Sequence, residues 1–429
     1  MKLFWLLVLL INATIPAYAD QSFALSEHLA AGQQVLLKFD PQTPGEKNTL
    51  LHLNNGLAVT YGHIISLGDL FGVVGKPVAL GKNQTARRQR FLAAFATLAE
   101  ETSAVTEAIQ LNQVIANELK TIEDARKAGE SPEEVYRRIG NEVGRQINCI
   151  TGGGCTSSGW WLVPGRYLKL AMKNYDHFSP FAEIAYITGH QLAIEQAIRA
   201  HHSGKRGDLE QAYALDALAC HYLSDLFAAG HLRTPRRELQ EQITPEVVGS
   251  LLANYMHNEE NEQGIPVHNG HGHHWSVFGD FSYFNSANKE NRQQLANALQ
   301  HSVDDIFTAY YQGYSAPATD NSGDIPQADE YGPEAKEAIS ALFYWDQKRK
   351  KLMRRKDITN PHDQSWTDNW WGWSTLLALK KHYGVEPDMQ PYWKKLIHER
   401  AETKLPASER NTISYNSKKP VNDKVYGKK

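Results

Sequence analysis

The chain has 429 residues, 41% of them hydrophobic, and its 45 Lys and Arg nearly balance 48 Asp and Glu for a formal charge of −3. That length supports one large domain or two ordinary ones with ample core, and a pI near 6.7 lacks the basic footprint of a nucleic-acid binder. Three cysteines fit an oxidising compartment but exclude a disulfide-dense scaffold, whereas 18 histidines are abundant enough to point toward metal.

Met1-Lys2, an uncharged run over residues 3–11 and Ala17-Tyr18-Ala19 before Asp20 read as a secretory signal peptide cleaved after Ala19. Residues 1–19 are therefore expected to be removed and the protein exported; no later stretch is apolar for long enough to span a bilayer. Short β-type runs follow at 34–39 and 51–59, the only strand signals. Residues 85–127 carry apolar positions at helical spacing, as one long helix or two in series, and Ser131-Pro132-Glu133-Glu134 opens another helix to about residue 146. Cys149 and Cys155 flank a flexible Ile-Thr-Gly-Gly-Gly segment and are expected to be bonded. Further helices are expected at 181–202, 209–229, 245–257 and 291–311. The segment 313–332 has linker composition. Two helical patterns come next, at 333–355 and 368–383, within a Trp-rich extension to residue 403, and 404–429 form a polar tail. The expected class is all-α, an irregular multi-helix bundle, with no internal repeat.

The most informative stretch runs from Ala219 to His231. A separation of four residues puts His221 and Asp225 on one helix face, where an imidazole and a carboxylate can hold the same divalent metal. That face also carries Tyr213, Ala217, Cys220 and Ser224, so both polar groups point inward, and a buried carboxylate needs a partner such as a cation. His231 follows Gly230, a residue that commonly ends a helix, and can return to the same cleft. Cys220 reads as a small buried hydrophobe rather than a ligand.

The order of motifs extends outward: Gly62-His63 through Leu67-Gly68-Asp69-Leu70-Phe71, then Asp176-His177-Phe178-Ser179-Pro180-Phe181, then His221 to His231, then Met256-His257-Asn258-Glu259-Glu260-Asn261. Over about residues 55–312 this pattern resembles the bacterial zinc-dependent phospholipases C, in particular the longer secreted enzymes of Gram-negative bacteria, a superfamily shared with single-strand-specific zinc nucleases. The resemblance implies a helical catalytic domain over residues 20–312 holding two or three zinc ions. Asp69, His177, His221 and Asp225 would surround one, with Asp225 able to bridge; Asp69 is either ligand or general base. His231, His257 and a carboxylate would hold another. The family's carboxylate position is occupied here by Asn261, so Glu260 is the expected substitute and Asp280 the alternative. The third site of the compact family members uses an amino-terminal tryptophan that this chain lacks; His28 or His63 could take part instead.

Arg233 and Arg236, with Arg237, could orient a phosphate, since guanidinium forks match phosphate oxygens. The His268-Asn269-Gly270-His271-Gly272-His273-His274 run reads as a mobile surface loop before a metal loop. Trp366, Trp370, Trp371 and Trp373 form either a small core, the favoured reading, or a membrane-facing cluster. Lys348 to Lys351 with Arg354 to Lys356 suit anionic surfaces or a solvated helix face.

These observations lead to an expectation of an exported zinc-dependent phospholipase C. It would release diacylglycerol and the phosphorylated head group from phospholipid at a membrane surface, phosphatidylcholine above all, with no nucleic-acid partner. The alternatives are a single-strand zinc nuclease and a secreted metal- or membrane-binding protein without turnover.

Overall fold

Apolar residues recurring at helical spacing organise most of the chain into fourteen α-helices, with three small antiparallel sheets between them, among the described residues. The computed structural model describes residues 25–314, 321–329 and 339–384. The expected signal peptide, the tail and part of the expected linker and extension lie outside those residues. No described helix is long and apolar enough to cross a membrane.

Helix α1 (Leu25–Gly32) is buried along its whole length. Strands β1 (Leu50–His52) and β2 (Ala58–Thr60) pair with Leu51 opposite Val59, and Thr60 then caps α2 (Tyr61–Leu67) by accepting from the His63 N–H. Helices α3 (Gln84–Ala99) and α4 (Ser103–Lys127) are the two in series that the 85–127 pattern allows. Ser131 and Pro132 start α5 (Pro132–Ile139), but Gly140 and Asn141 interrupt the expected run before α6 (Glu142–Ile150). The Cys149–Cys155 disulfide closes the loop that follows, with Cα atoms 4.7 Å apart. Helix α7 (Arg166–Lys173) leads to the central pair, α8 (Phe181–Ser203) and α9 (Arg206–Asp225), joined by a turn at Gly204.

Helix α9 is buried along most of its length. Ala212, Ala214, Ala217 and Ala219 give it a narrow profile, so neighbours approach from all sides and its last turns are buried all round. It ends at Asp225, four residues earlier than the pattern suggests, and His231 sits in the five-residue helix α10 (Ala229–Arg233). After α11 (Arg236–Gln242) comes α12 (Glu246–Gln263), which continues past residue 257 and so carries Glu259, Glu260 and Asn261 as helical, buried positions. Helix α13 (Lys289–Gln312) packs against α8 and α9.

Strand content exceeds the sequence expectation. Residues 51–59 make a hairpin around Asn54-Asn55-Gly56 rather than one strand, and 34–39 contribute only a single bridge from Leu37 to Glu46. Strands β3 (Ile265–His268) and β4 (His274–Val277) form a hairpin, and β5 (Gln327–Ala328), inside the expected linker, adds to its edge while Ile325 is buried. The helical expectation at 333–355 is corrected for its described part: β6 (Phe343–Asp346) and β7 (Lys351–Arg355) pair across a Lys-rich turn, and β8 (Trp366–Thr367) joins them. Aromatic residues at 343–345 favour a pleated surface once a partner strand is present. The last helix is α14 (Gly372–Tyr383). This segment packs on α12: Arg355 pairs with Glu259, Tyr255 bonds the Gly384 carbonyl, and it belongs to the same compact unit as the rest of the described chain.

Candidate metal centre

Helix α9 presents His221 and Asp225 on one face, as their spacing requires. The His221 ring lies so close to Gly68 that a Cβ there would be 2.2 Å from its Cγ, which explains the glycine beside Asp69. His221 Nδ1 is 2.9 Å from the Ile65 carbonyl, and since a carbonyl only accepts, Nδ1 carries the proton and Nε2 is left to accept or ligate. Nε2 faces His177 Nδ1 at 3.0 Å and both Asp69 Oδ1 and Asp225 Oδ2 at 3.5 Å. His177, from the loop before α8, lies 2.9 Å from Asp225 Oδ2 and 3.4 Å from Asp69 Oδ1. The four residues expected around one metal therefore converge.

Asp225 Oδ1 turns the other way, 3.4 Å from His28 Nε2 and 3.6 Å from His231 Nδ1. His28, on α1, is fixed by a 2.8 Å bond from Nδ1 to Ser224 Oγ, so the structure brings His28 to the centre. His63 stays away, its ring bonded to Thr60 at 2.8 Å as part of the helix cap. His231 Nδ1 donates to the His177 carbonyl at 2.9 Å, leaving Nε2 free, and its ring centroid is 5.0 Å from that of His257. His257 Nε2 lies 3.2 Å from Asp280 Oδ2. Three groups of ligand atoms result: Asp69, His177 and His221; His28, His221 and Asp225; His231, His257 and Asp280.

The expectation for Glu260 is corrected. Its carboxylate accepts from Arg233 Nε at 3.0 Å, away from the histidines, and burial pushes its pKa up to about 7 against the pull of the Arg233 charge. Asp280 stands in the ligand position. Asn261, the departure from the family pattern, links two segments instead. Its Oδ1 accepts the Gly230 N–H at 2.6 Å while its Nδ2 donates to Asp280 Oδ2 at 2.9 Å. An amide can accept from one and donate to the other, which the ionised carboxylate of the family pattern could not.

Burial dominates the electrostatics but is answered by neighbours. Desolvation works against charge on His177, yet the bond to Asp225 and the charges of Asp69 and Asp225 raise it to about 10. His221 is raised in the same way, while burial prevails at His231 and lowers it to about 4. Burial opposes ionisation of Asp225, but His221, His177 and His231 hold it well below the usual carboxylate range. The carboxylates thus call for positive charge, which protonated imidazoles or a divalent cation would supply.

Four buried atoms test the fit directly. Asp69 Oδ2, Asp225 Oδ1, Asp280 Oδ1 and His231 Nε2 are shielded from solvent and make no hydrogen bond. Each such atom costs about 1–3 kcal/mol, and their concentration at one place is relieved by coordination. Imidazole with carboxylate is a donor set suited to zinc and neighbouring transition metals.

Other expected residues go elsewhere. Arg233 and Arg236 are buried, Arg233 against Glu260 and the Ile339 carbonyl, Arg236 against Ser250 and the Ala171 carbonyl, so the phosphate-orienting role is withdrawn from both. The histidine loop is the β3–β4 turn, with His271 bonded to Asp324 at 3.0 Å. Trp366 and Trp370 are half-buried and donate to the Ala341 and Leu352 carbonyls, whereas Trp371 is exposed. Cys220 is a buried free thiol. A cleft opens beside Asp69 and His177, lined by Phe71, Lys76, Asp176 and Tyr222 among others.

No protein-family model, no curated protein and no solved structure matches this chain.

Proposed function

We propose that this protein is an exported zinc-dependent phospholipase C that cleaves the glycerol-side phosphoester bond of phospholipids, phosphatidylcholine above all. The observation that carries this reading is the grouping of five histidines and three aspartates, Asp225 among them, with four of their buried atoms left without hydrogen bonds. The motif order quoted above supports the family, and the disulfide supports export. Asp69, His177, His221 and Asp225 would hold one zinc; His231, His257 and Asp280 a second, with His28 beside Asp225 available to a third.

Zinc in such a centre supplies Lewis acidity, which makes water a competent nucleophile at neutral pH and offsets charge gathering on a phosphoryl group. The chain's own groups do the rest. Asp69 lines the cleft with Oδ1 directed at the imidazoles and Oδ2 without a hydrogen bond. Oδ2 is the atom that would take a proton from water in the general-base role. Lys76, at the exposed rim, replaces Arg233 and Arg236 as the phosphate-facing cation.

Purified full chain offered phosphatidylcholine, other phospholipids and single-stranded DNA in parallel, with and without a zinc chelator, tests the proposal. Phosphocholine release that stops with chelator and returns with zinc is expected. Chelator-sensitive cleavage of DNA alone would reassign the chain as a nuclease, and no turnover of any substrate would reduce it to a metal-binding protein.

A further inference from the structure

Asp280 reaches His257 from a turn over residues 279–283, and a ligand on a turn is only as well placed as the turn itself. One side is held by α12. Gly279 donates its N–H to the Asn261 carbonyl at 3.1 Å, and a Cβ at 279 would stand 1.6 Å from Asn261 Oδ1, so this approach admits only glycine. Phe281 then adopts φ of +64°, a left-handed conformation that disfavours a residue with a side chain by about 1–2 kcal/mol. Such a conformation persists only where the surroundings impose it.

What imposes it is Glu27, a fully buried residue of α1. Its Oε2 accepts the Phe281 N–H at 3.2 Å, and its Oε1 accepts the Tyr283 N–H at 3.0 Å and the Tyr136 hydroxyl at 3.0 Å. The carboxylate thus straddles the strained residue and grips the backbone on both sides of it. Both oxygens accept, from three donors in all, whereas an amide offers a single accepting oxygen. The next residue on the same helix is His28, at Asp225, so one turn of α1 touches both halves of the centre.

We infer that Glu27 is a positioning residue, whose grip on the Phe281 and Tyr283 amides sets Asp280 against His257 and His231 and so creates the second metal site. The inference rests on the metal-centre reading proposed above. Burying an acid is a costly way to hold a turn, and the cost is understandable where the turn carries a ligand.

The test is zinc competition against a chromophoric chelator on the full chain, with the site containing Asp280 identified by its loss in Asp280→Asn. Glu27→Gln keeps the shape but turns an N–H group toward a donor; it should weaken zinc at the Asp280 site by about 10- to 100-fold, the usual range for outer partners of a ligand. The site of Asp69, His177 and His221 should stay within about twofold, well below that range. Tyr136→Phe, which removes a Glu27 partner but leaves both backbone contacts, should leave both affinities within the same limit. Equal weakening of both sites by Glu27→Gln, or none at the Asp280 site, overturns the inference while leaving the metal centre standing. Wild-type protein that takes up no zinc overturns both.

Discussion

Replacing Arg355 by Met should be among the most damaging single changes outside the metal centre. The guanidinium is fully buried and pairs with both oxygens of Glu259, Nη1 to Oε2 at 2.9 Å and Nη2 to Oε1 at 2.7 Å. It also donates to the Ser340, Ile358 and Asp357 carbonyls at 2.7, 3.0 and 3.2 Å. Methionine fills much of the volume but strands the Glu259 carboxylate, which keeps the Tyr383 hydroxyl at 2.9 Å as its remaining donor among these contacts. Breaking one side of a buried ion pair costs about 3–5 kcal/mol, whereas replacing both sides by apolar groups is often near neutral. The expected loss for Arg355→Met is therefore about 3–5 kcal/mol, and the double variant with Glu259→Leu should recover at least about 2 kcal/mol relative to the sum of the singles. Equilibrium urea unfolding of the four proteins at one fixed zinc concentration measures this. Because Glu259 lies two residues beyond His257, zinc affinity at the Asp280 site should fall alongside stability. A loss below about 1 kcal/mol for the single variant, or strict additivity in the cycle, would refute the argument that the carboxylate is stranded.

Three other outcomes are expected. His221→Ala and Asp225→Ala should each reduce turnover far more than tenfold; retention of more than about a tenth of the rate, under 1.4 kcal/mol in barrier, would remove that residue from the centre. Asn261→Asp sets a like charge 2.9 Å from Asp280 and deletes its donor, so zinc titration should show a weakened second site, whereas Glu260→Gln should chiefly destabilise the fold through Arg233; the opposite ranking would restore Glu260 as ligand. His190 is buried, which lowers its pKa, but Asp216 at 2.7 Å and Asp305 at 3.6 Å raise it to about 9 from an ordinary 6.5. A raised histidine contributes stability that is fully present below pH 6.5 and is lost as pH climbs through about 9, on the order of 3 kcal/mol. The urea stability difference between wild type and His190→Gln should shrink across that window, and a pH-independent difference would show that the imidazolium is not what stabilises the fold.

Local features were legible without the fold. The helix periods, the shared face of His221 and Asp225, the cap at Ser131 and the short Cys149–Cys155 loop depend on residues within a few positions of one another, so spacing and backbone chemistry determine them. The convergence of Asp69, His177, His231 and His257 was visible only through the motif order. What tertiary structure decided is which of several chemically equivalent residues takes each role. Glu260 and Asn261 both follow His257 at helical spacing, yet Arg233 lies near enough to claim the acid, and a turn from 19 residues beyond Asn261 brings Asp280 to the ligand position. Arg355 read as part of a solvated basic run because a sequence displays charge and not the partner 96 residues away that allows it to be buried. The run over 343–355 fits helix or strand by local preference, and pairing with β8 and packing on α12 select the strand. Periodicity reports which side of an element is apolar; what meets that side, and which buried charge finds an opposite one, is settled only when distant segments compete for the same space.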